Sequence, residues 1–452
     1  MNLKSLLMPA ITAWWLSPQR LERQRRSAER RRVQRGEPHA VHYFHQADDP
    51  YSALMVQCLP QLLQRYDVAL VPHVVSPPAD EAAPDRERLI AYSRKDAAWL
   101  AQRHGLQFVD RGQQPDAPAL DRVSAQWVHA IDALPVDAHS HLRETLVTLG
   151  ALTQSLWNPN ATAPAPALPE ASAAQVQAHL AASDALRQRL GHYNGGMLYY
   201  AGEWYWGLDR LHHLEERLQA LGAARPGTTG LMFAPEAATS WPAAQPGTCV
   251  DFFFSFRSPY SAIAAQRLVA LTQGTGIEIR WRFVLPMVMR GLAVPKNKRL
   301  YISSDAAREA RRLHVPFGRL CDPVGKPTER GLALMPLAQA RGVTAAYVLS
   351  FMQGVWAEGL DAGSDQGLRQ ITTRAGLAWP EVCAALQGES WRATAEANRV
   401  AMLNLGLWGV PSFRVGDTAV WGQDRLEAVA MALPTHACPS PSDPAQQRNT
   451  AP

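Results

Sequence analysis

The chain repeats itself, and the repeat limits its possible folds more than any other feature. Asp49-Pro50-Tyr51-Ser52-Ala53 is echoed by Ser258-Pro259-Tyr260-Ser261-Ala262. At the same spacing Tyr92, Asp96, Ala97 and Ala98 are echoed by Tyr301, Asp305, Ala306 and Ala307, and Phe108 by Phe317, without a gap. A second block agrees: Trp206-Gly207-Leu208-Asp209-Arg210-Leu211 is echoed by Trp421-Gly422-Gln423-Asp424-Arg425-Leu426. Two blocks at nearly one offset predict tandem copies of a unit of roughly 200 residues, an ordinary single-domain size. A chain of 452 residues has room for both, and each is long enough to bury a core.

In the second copy the apolar, aromatic run Asp251-Phe252-Phe253-Phe254-Ser255-Phe256 stops at Ser258-Pro259. A helical pattern follows through Ala262, Ile263, Ala265, Leu268, Val269 and Leu271. This reads as a buried strand feeding a helix. Pro259 takes the first helical position, where its missing N–H costs nothing, and Ser258 is the N-cap. Backbone N–H groups and the helix dipole make such a terminus a place for an anion, a thiolate included. An ordinary cap is the commoner role for a Ser-Pro serine. A hydroxyl facing a ligand is the sharper alternative, and the motif alone leaves both open.

A second strand is expected at Ile277–Leu285 and a long helical stretch from about Asp305 to Leu405. Then come Val410–Val415, a tight turn at Gly416-Asp417, a strand at Ala419–Trp421 and a closing helix from Gln423. The pattern predicts an α/β fold: two tandem thioredoxin-like domains, each with a helical insertion. The boundaries are a basic N-terminal arm at 1–36, a first domain at 37–222, a Gly/Pro/Ala/Thr-rich linker at 223–247, a second domain at 248–433 and a disordered tail at 434–452. Residues 158–172 read as a loop within the first domain.

The formal charge is +5, but residues 20–35 hold eight arginines against two glutamates, a net +6, so the rest of the chain sums to −1. The folded body is therefore not a basic nucleic-acid binder. The arginines follow an apolar stretch, Leu6 to Leu16, that includes Trp14 and Trp15. Apolar before basic is the reverse of a secretory signal. Such an arm would suit an anionic membrane surface or a partner; the alternative is a helix packed on the protein's own body. No run approaches the length of a spanning helix.

The five cysteines (Cys58, Cys249, Cys321, Cys383, Cys438) include no C-x-x-C pair. This argues against a disulfide framework and a paired redox site, and for a reducing cytoplasm, with the protein soluble or peripheral to a membrane. No Cys/His cluster has zinc-ligand spacing. His212-His213, like His42 and His45, are read as surface or satisfied histidines. Lys298 and Arg299 are expected to face solvent.

The second copy resembles the 2-hydroxychromene-2-carboxylate isomerase family, related to kappa-class glutathione transferases and, more distantly, to DsbA-type oxidoreductases. The residues that carry the resemblance are Asp251-Phe252 through Ser258-Pro259-Tyr260-Ser261, Asn297-Lys298-Arg299, Val355-Trp356-Ala357-Glu358-Gly359, Gly409-Val410-Pro411-Ser412-Phe413 and Trp421-Gly422-Gln423-Asp424-Arg425. Each motif alone is weak, but the ordered set is specific. The first copy resembles the same fold more loosely.

The resemblance implies a glutathione cofactor and a small aromatic electrophile as substrate. Ser258 would hydrogen-bond the glutathione sulfur and favour its thiolate. Asn297 would lie near glutathione and substrate. Val410, before a cis Pro411, would pair its backbone with the cysteinyl backbone. Asp424 would take the γ-glutamyl ammonium. The reaction implied is isomerisation by reversible thiolate addition. Alternatives are a kappa-type transferase with another electrophile and a non-catalytic thioredoxin-like binding protein. Disulfide exchange is disfavoured, because Ser258 and Ser261 stand where DsbA-type relatives carry two cysteines. Phe254, Phe256, Trp281 and Phe317 are candidates for either an aromatic pocket or core.

The first copy departs at three of these positions. Asp49 stands for the serine, Gly196 for the proline and Arg88 for the asparagine. A carboxylate at the helix N-terminus would repel a thiolate, so this copy is expected to be a degenerate partner of the second.

Overall fold

A computed structural model describes residues 3–134, 139–158, 167–235 and 240–433. The expected tail, residues 159–166 of the expected loop and residues 236–239 of the linker lie outside the described residues. The chain divides into two compact units. The N-terminal unit runs from Pro18 to Pro235 and takes in Ala293–Tyr301. The C-terminal unit takes the segment up to Ser17, the chain to Leu292 and the described residues from Ile302.

Two helices precede the first strand: α1 (Leu3–Trp15) and α2 (Pro18–Arg35). In the N-terminal unit β1 (Ala40–His45), α3 (Pro50–Arg65) and β2 (Ala69–Val74) come first. Four helices follow: α4 (Arg86–His104), α5 (Ala117–Asp132), α6 (His139–Trp157) and α7 (Ala173–Arg189). The hairpin of β3 (Met197–Tyr200) and β4 (Glu203–Trp206) then leads into α8 (Gly207–Ala220). The sheet order is β2-β1-β3-β4, with β1 parallel to β2 and antiparallel to β3.

The second half is built in the same order, with β5 (Cys249–Phe254), α9 (Pro259–Thr272) and β6 (Glu278–Phe283) first. The helices between β6 and the hairpin are α10 (Lys296–Arg312), α11 (Lys326–Ala333), α12 (Met335–Ala340), α13 (Thr344–Gln353), α14 (Asp365–Arg374), α15 (Trp379–Ala385) and α16 (Trp391–Asn404). The hairpin of β7 (Ser412–Val415) and β8 (Thr418–Trp421) and the closing α17 (Leu426–Ala432) complete the unit. The sheet order is β6-β5-β7-β8, with the same directions as in the first.

The two sheets share more than strand order. Tyr51 donates to Asp96 at 2.9 Å and Tyr260 to Asp305 at 2.8 Å. The N–H of Gln46 reaches Ser52 Oγ at 3.2 Å and that of Ser255 reaches Ser261 Oγ at 3.4 Å. Gly207 N–H bonds the Gly196 carbonyl as Gly422 N–H bonds that of Pro411. Several of the repeated residues of the sequence thus make repeated contacts.

β5 is central in its sheet and buried along its whole length, which explains its unbroken apolar run. Phe252 stacks on Phe254 at 5.3 Å and on Phe413 at 5.2 Å, and Phe256 packs on Phe351 at 4.0 Å between ring centroids. Each such ring contributes about 2 kcal/mol on burial, which makes the strand that feeds α9 a rigid support.

Several expectations need correction. The helical stretch begins at Lys296 rather than near Asp305, so Asn297 is in a helix and not in a loop. That stretch is also interrupted between Arg312 and Lys326. Val355-Trp356-Ala357-Glu358-Gly359 forms a π-helical turn closed by Gly359 at φ 71°, a feature frequent at functional sites. His212 and His213 are buried on α8, not on the surface. Lys298 does not face solvent: it is half-buried, donates to the Ala82 carbonyl at 2.7 Å, and burial lowers its pKa to about 8. Cys249 is disulfide-bonded, whereas Cys58, Cys321 and Cys383 are free. Among the described residues no helix is long and apolar enough to cross a membrane.

Candidate functional site

Ser258 has extended backbone angles (φ −97°, ψ 116°) and caps α9. Its Oγ accepts from the N–H of Ser261 at 3.1 Å, and its hydroxyl proton goes to the Val410 carbonyl at 3.3 Å. Both readings of this serine therefore meet in one atom. The capping bond uses a lone pair, and the proton is held by a long, replaceable bond. Ser261 is fully buried, and its Oγ accepts from the Ser255 N–H. It ties the loop before α9 to the helix.

The Val410–Pro411 peptide is cis, as the resemblance implies. Ser412 Oγ donates back to the Gly409 carbonyl at 2.6 Å, which closes the turn that leads into β7. Any side chain at Gly409 would put its Cβ 2.6 Å from the Trp421 indole, so the close approach requires glycine. The Val410 N–H has no hydrogen-bond acceptor among the described residues. An unused donor beside the cap of α9 is what an extended ligand backbone pairs with.

Two side chains frame the loop before Ser258. Arg257 makes a two-pronged ion pair with Asp322 at 2.8 and 2.9 Å, so its charge is matched. Trp356, on the π-turn, donates from Nε1 to the Phe256 carbonyl at 3.0 Å and lies parallel to Phe317 at 5.9 Å between centroids. Of the four aromatics weighed for a pocket, Phe254 and Phe256 are core, while Trp281 and Phe317 are half-buried against it. Nothing in the local pattern around Trp356 announces its bond to a residue 100 positions away.

Asp424 lies in the 3-10 turn Gln423–Arg425 before α17, with its carboxylate 3.7 Å from the Arg425 guanidinium. The Cβ of any residue at 422, where φ is 126°, would fall 2.5 Å from Asp424 Oδ1. Gly422 is thus required by its neighbour's carboxylate. Asn297 is the second residue of α10, half-buried, in the segment grouped with the N-terminal unit. Ser258, Val410 and Pro411 form one cluster by direct contact; Asp424 follows at the next turn of the chain, after β8.

In the first unit Asp49 caps α3, accepting from the N–H groups of Tyr51 at 3.3 Å and Ser52 at 2.9 Å and from the Ser52 hydroxyl at 2.8 Å. Burial nevertheless pushes its pKa up to about 6. Gly196 stands at the place that Pro411 takes in the second unit, its carbonyl accepting from Gly207 as that of Pro411 accepts from Gly422, and has φ 63°.

Comparison with known proteins bears on the second unit. Residues 249–434 match the DSBA-like thioredoxin domain family. The 2-hydroxychromene-2-carboxylate isomerase of Pseudomonas putida is 27% identical over 192 residues, covering 41% of this chain and 93% of the relative. That of Sphingobium xenophagum is 25% identical over 186 residues, covering 39% and 94%. A solved structure of a 2-hydroxychromene-2-carboxylate isomerase aligns with 26% identity and a TM-score of 0.36 over 41% of this chain and 93% of that one.

Proposed function

We propose that the C-terminal unit is a glutathione-dependent isomerase resembling 2-hydroxychromene-2-carboxylate isomerase. The observation that carries the reading is the Ser258 hydroxyl, set at the N-terminus of α9 with its proton on the carbonyl beside cis Pro411. The similarity to isomerases over 93% of the P. putida protein's length supports it. The residues fit the cofactor: an unused Val410 N–H for its backbone, a turnable hydroxyl for its sulfur, and the Asp424 carboxylate for its ammonium.

The chemistry supplied by bound glutathione is reversible thiolate addition to an electron-poor carbon of an aromatic, enone-like substrate, which frees a double bond to rotate. Ser258 holds the sulfur as an anion by turning its proton from the Val410 carbonyl while keeping its cap on Ser261. The first turn of α9 adds a favourable field for negative charge. Val410 and Pro411 orient the ligand backbone, and such positioning accounts for much of the acceleration. For Asn297 the only support is the resemblance, and Asn297→Ala is its test.

The two halves are proposed to be copies of one unit, the first having lost its site. Equal sheet order and repeated hydrogen bonds support this. Glutathione titration of the full chain tests the enzyme reading. Binding should bring far-ultraviolet thiolate absorbance at a pH where free glutathione is a thiol, and Ser258→Ala should bind without that absorbance. A protein that binds no glutathione would be a thioredoxin-like binding module instead.

A further inference from the structure

The turn that carries Asp424 stands on a buried polar support. Arg267 of α9 donates from Nη1 to the Gln423 carbonyl and, at 2.9 Å, to Gln423 Oε1. The Gln423 amide donates in turn to Oε2 of Glu309 on α10 at 2.9 Å, and Arg312 donates to the same oxygen at 2.8 Å. Gln423 and Glu309 are each 1% exposed, and Arg267 is half-buried. Burial, and then Arg312, lower the pKa of Arg267, against the pull of Asp424 and Glu309. Taking such groups out of water is costly, and apolar packing of similar volume would stabilise a fold as well or better.

The N-terminal unit does without this support. At the spacing that sets Ser258 against Asp49, Arg267 answers to Cys58 and Glu309 to Leu100. At the spacing that sets Asp424 against Asp209, Gln423 answers to Leu208. Cys58, Leu100 and Leu208 are buried members of one apolar core. The aspartate is present in both units, yet its backbone differs with what lies beneath. Leu208-Asp209-Arg210 belongs to the first turn of the continuous helix α8, after Gly207 at φ 56°. Gln423-Asp424-Arg425 is a separate 3-10 turn after Gly422 at φ 126°, and α17 begins only at Leu426. An α-helix directs each carbonyl at the N–H four residues on; that of Gln423 takes a guanidinium N–H.

We infer, on the glutathione reading of the C-terminal unit, that Arg267, Gln423 and Glu309 are positioning residues for Asp424. They hold its turn apart from the closing helix and so fix where the carboxylate meets the γ-glutamyl ammonium. Recognition of the γ-glutamyl group then depends on three side chains that need not touch it.

Calorimetric titration of the full chain with glutathione, and with cysteinylglycine, which lacks the γ-glutamyl group, is the test. The parent should prefer glutathione. Asp424→Asn should lose about tenfold of that preference, the worth of one charged hydrogen bond. Arg267→Met/Glu309→Leu/Gln423→Leu installs an apolar set of the kind the N-terminal unit buries. It should bind glutathione about tenfold more weakly, bind cysteinylglycine as the parent does, and unfold at or above the parent's temperature. Added to Asp424→Asn, it should cost nothing further. A triple variant that keeps the parent's preference, or that loses both ligands equally, would overturn the inference alone. So would one that does not fold, since the set would then be structural. A parent that binds glutathione no better than cysteinylglycine would overturn the assignment of Asp424 and this inference with it.

Discussion

A Cβ on residue 196 would lie 2.9 Å from Oδ2 of Asp49, so the carboxylate of Asp49 and the absence of a side chain at Gly196 require each other. The C-terminal unit holds Ser258 and Pro411 at the same two places, where the serine hydroxyl meets the carbonyl before the proline. In the first unit the pair at these two places is an aspartate and a glycine, and the carboxylate leaves no room for a side chain at 196.

Gly196→Ala should therefore be costly twice over. The left-handed φ of 63° disfavours any side chain, and the new methyl meets a carboxylate. A loss of about 2 kcal/mol is expected in denaturant unfolding. In an Asp49→Ala background only the backbone part should remain, so a double-mutant cycle should show coupling. Additive losses would mean that the two residues do not meet.

Asp49 also predicts a pH dependence. Burial raises its folded pKa to about 6, above its ordinary value of 3.8. The folded state then binds the proton more tightly than the unfolded one. The contribution to stability is fully present below pH 4 and is lost as pH rises through 6. The unfolding midpoint of the parent should gain on that of Asp49→Asn as pH falls from about 7 to 5. A gap that is flat with pH would rule out the raised carboxyl.

Ser258→Ala removes a cap and a proton donor together. The cap is worth about 1 kcal/mol of stability. A hydrogen bond to a charged group is worth about 2 kcal/mol, so turnover should fall on the order of thirtyfold and the pKa of bound glutathione should rise. Ser258→Thr keeps both groups and should recover most of each, as measured by initial rates and by spectrophotometric titration of the thiol. Equal loss in the alanine and threonine variants would point to packing rather than to the hydroxyl.

The tyrosine–aspartate pairs test the equivalence of the two halves. Tyr51→Phe and Tyr260→Phe each remove one hydroxyl from a buried carboxylate, Asp96 or Asp305. Each should cost about 2 kcal/mol. Hydrogen exchange of α3 and α9 in the respective variants should report similar destabilisation. A large effect in one half and none in the other would show that the repeated residues do unequal jobs.

Free thiols should react in order of exposure. Burial raises the Cys321 pKa to about 11 and that of Cys58 further, while Cys383 is exposed. Thiol labelling of the native protein at neutral pH should modify Cys383 alone of these three, with Cys58 and Cys321 following only on unfolding.

What the sequence made legible was local or repeated. The run Asp251–Phe256 followed by Pro259 is enough to read β5 and α9, and Ser258 as a cap, because each depends on neighbours within a few residues. The equal spacing of Tyr51 and Asp96 with Tyr260 and Asp305 is visible in the sequence, whereas the hydrogen bond that each pair makes is not. Less legible were facts set by distant partners. The Ser258 proton lies on a carbonyl 152 residues away. Trp356 holds a carbonyl 100 residues away. Lys298 is half-buried because its ammonium meets the carbonyl of Ala82, which no periodicity near Lys298 could signal. Asn297 reads as a loop residue after Pro295, yet a proline is well suited to the entrance of a helix.

Helix α1 bears on what counts as a module here. The match to the DSBA-like thioredoxin domain family begins at residue 249, but Pro9, Thr12 and Leu16 pack into the same body through Gly359, Leu320 and its core. The π-turn that ends at Gly359 carries Trp356, which in turn holds the carbonyl two residues before Ser258. The segment matched by the family and the segment packed into this body therefore have different edges. A fragment cut at the limit of homology would leave a groove where α1 belongs, two contacts from the capping serine.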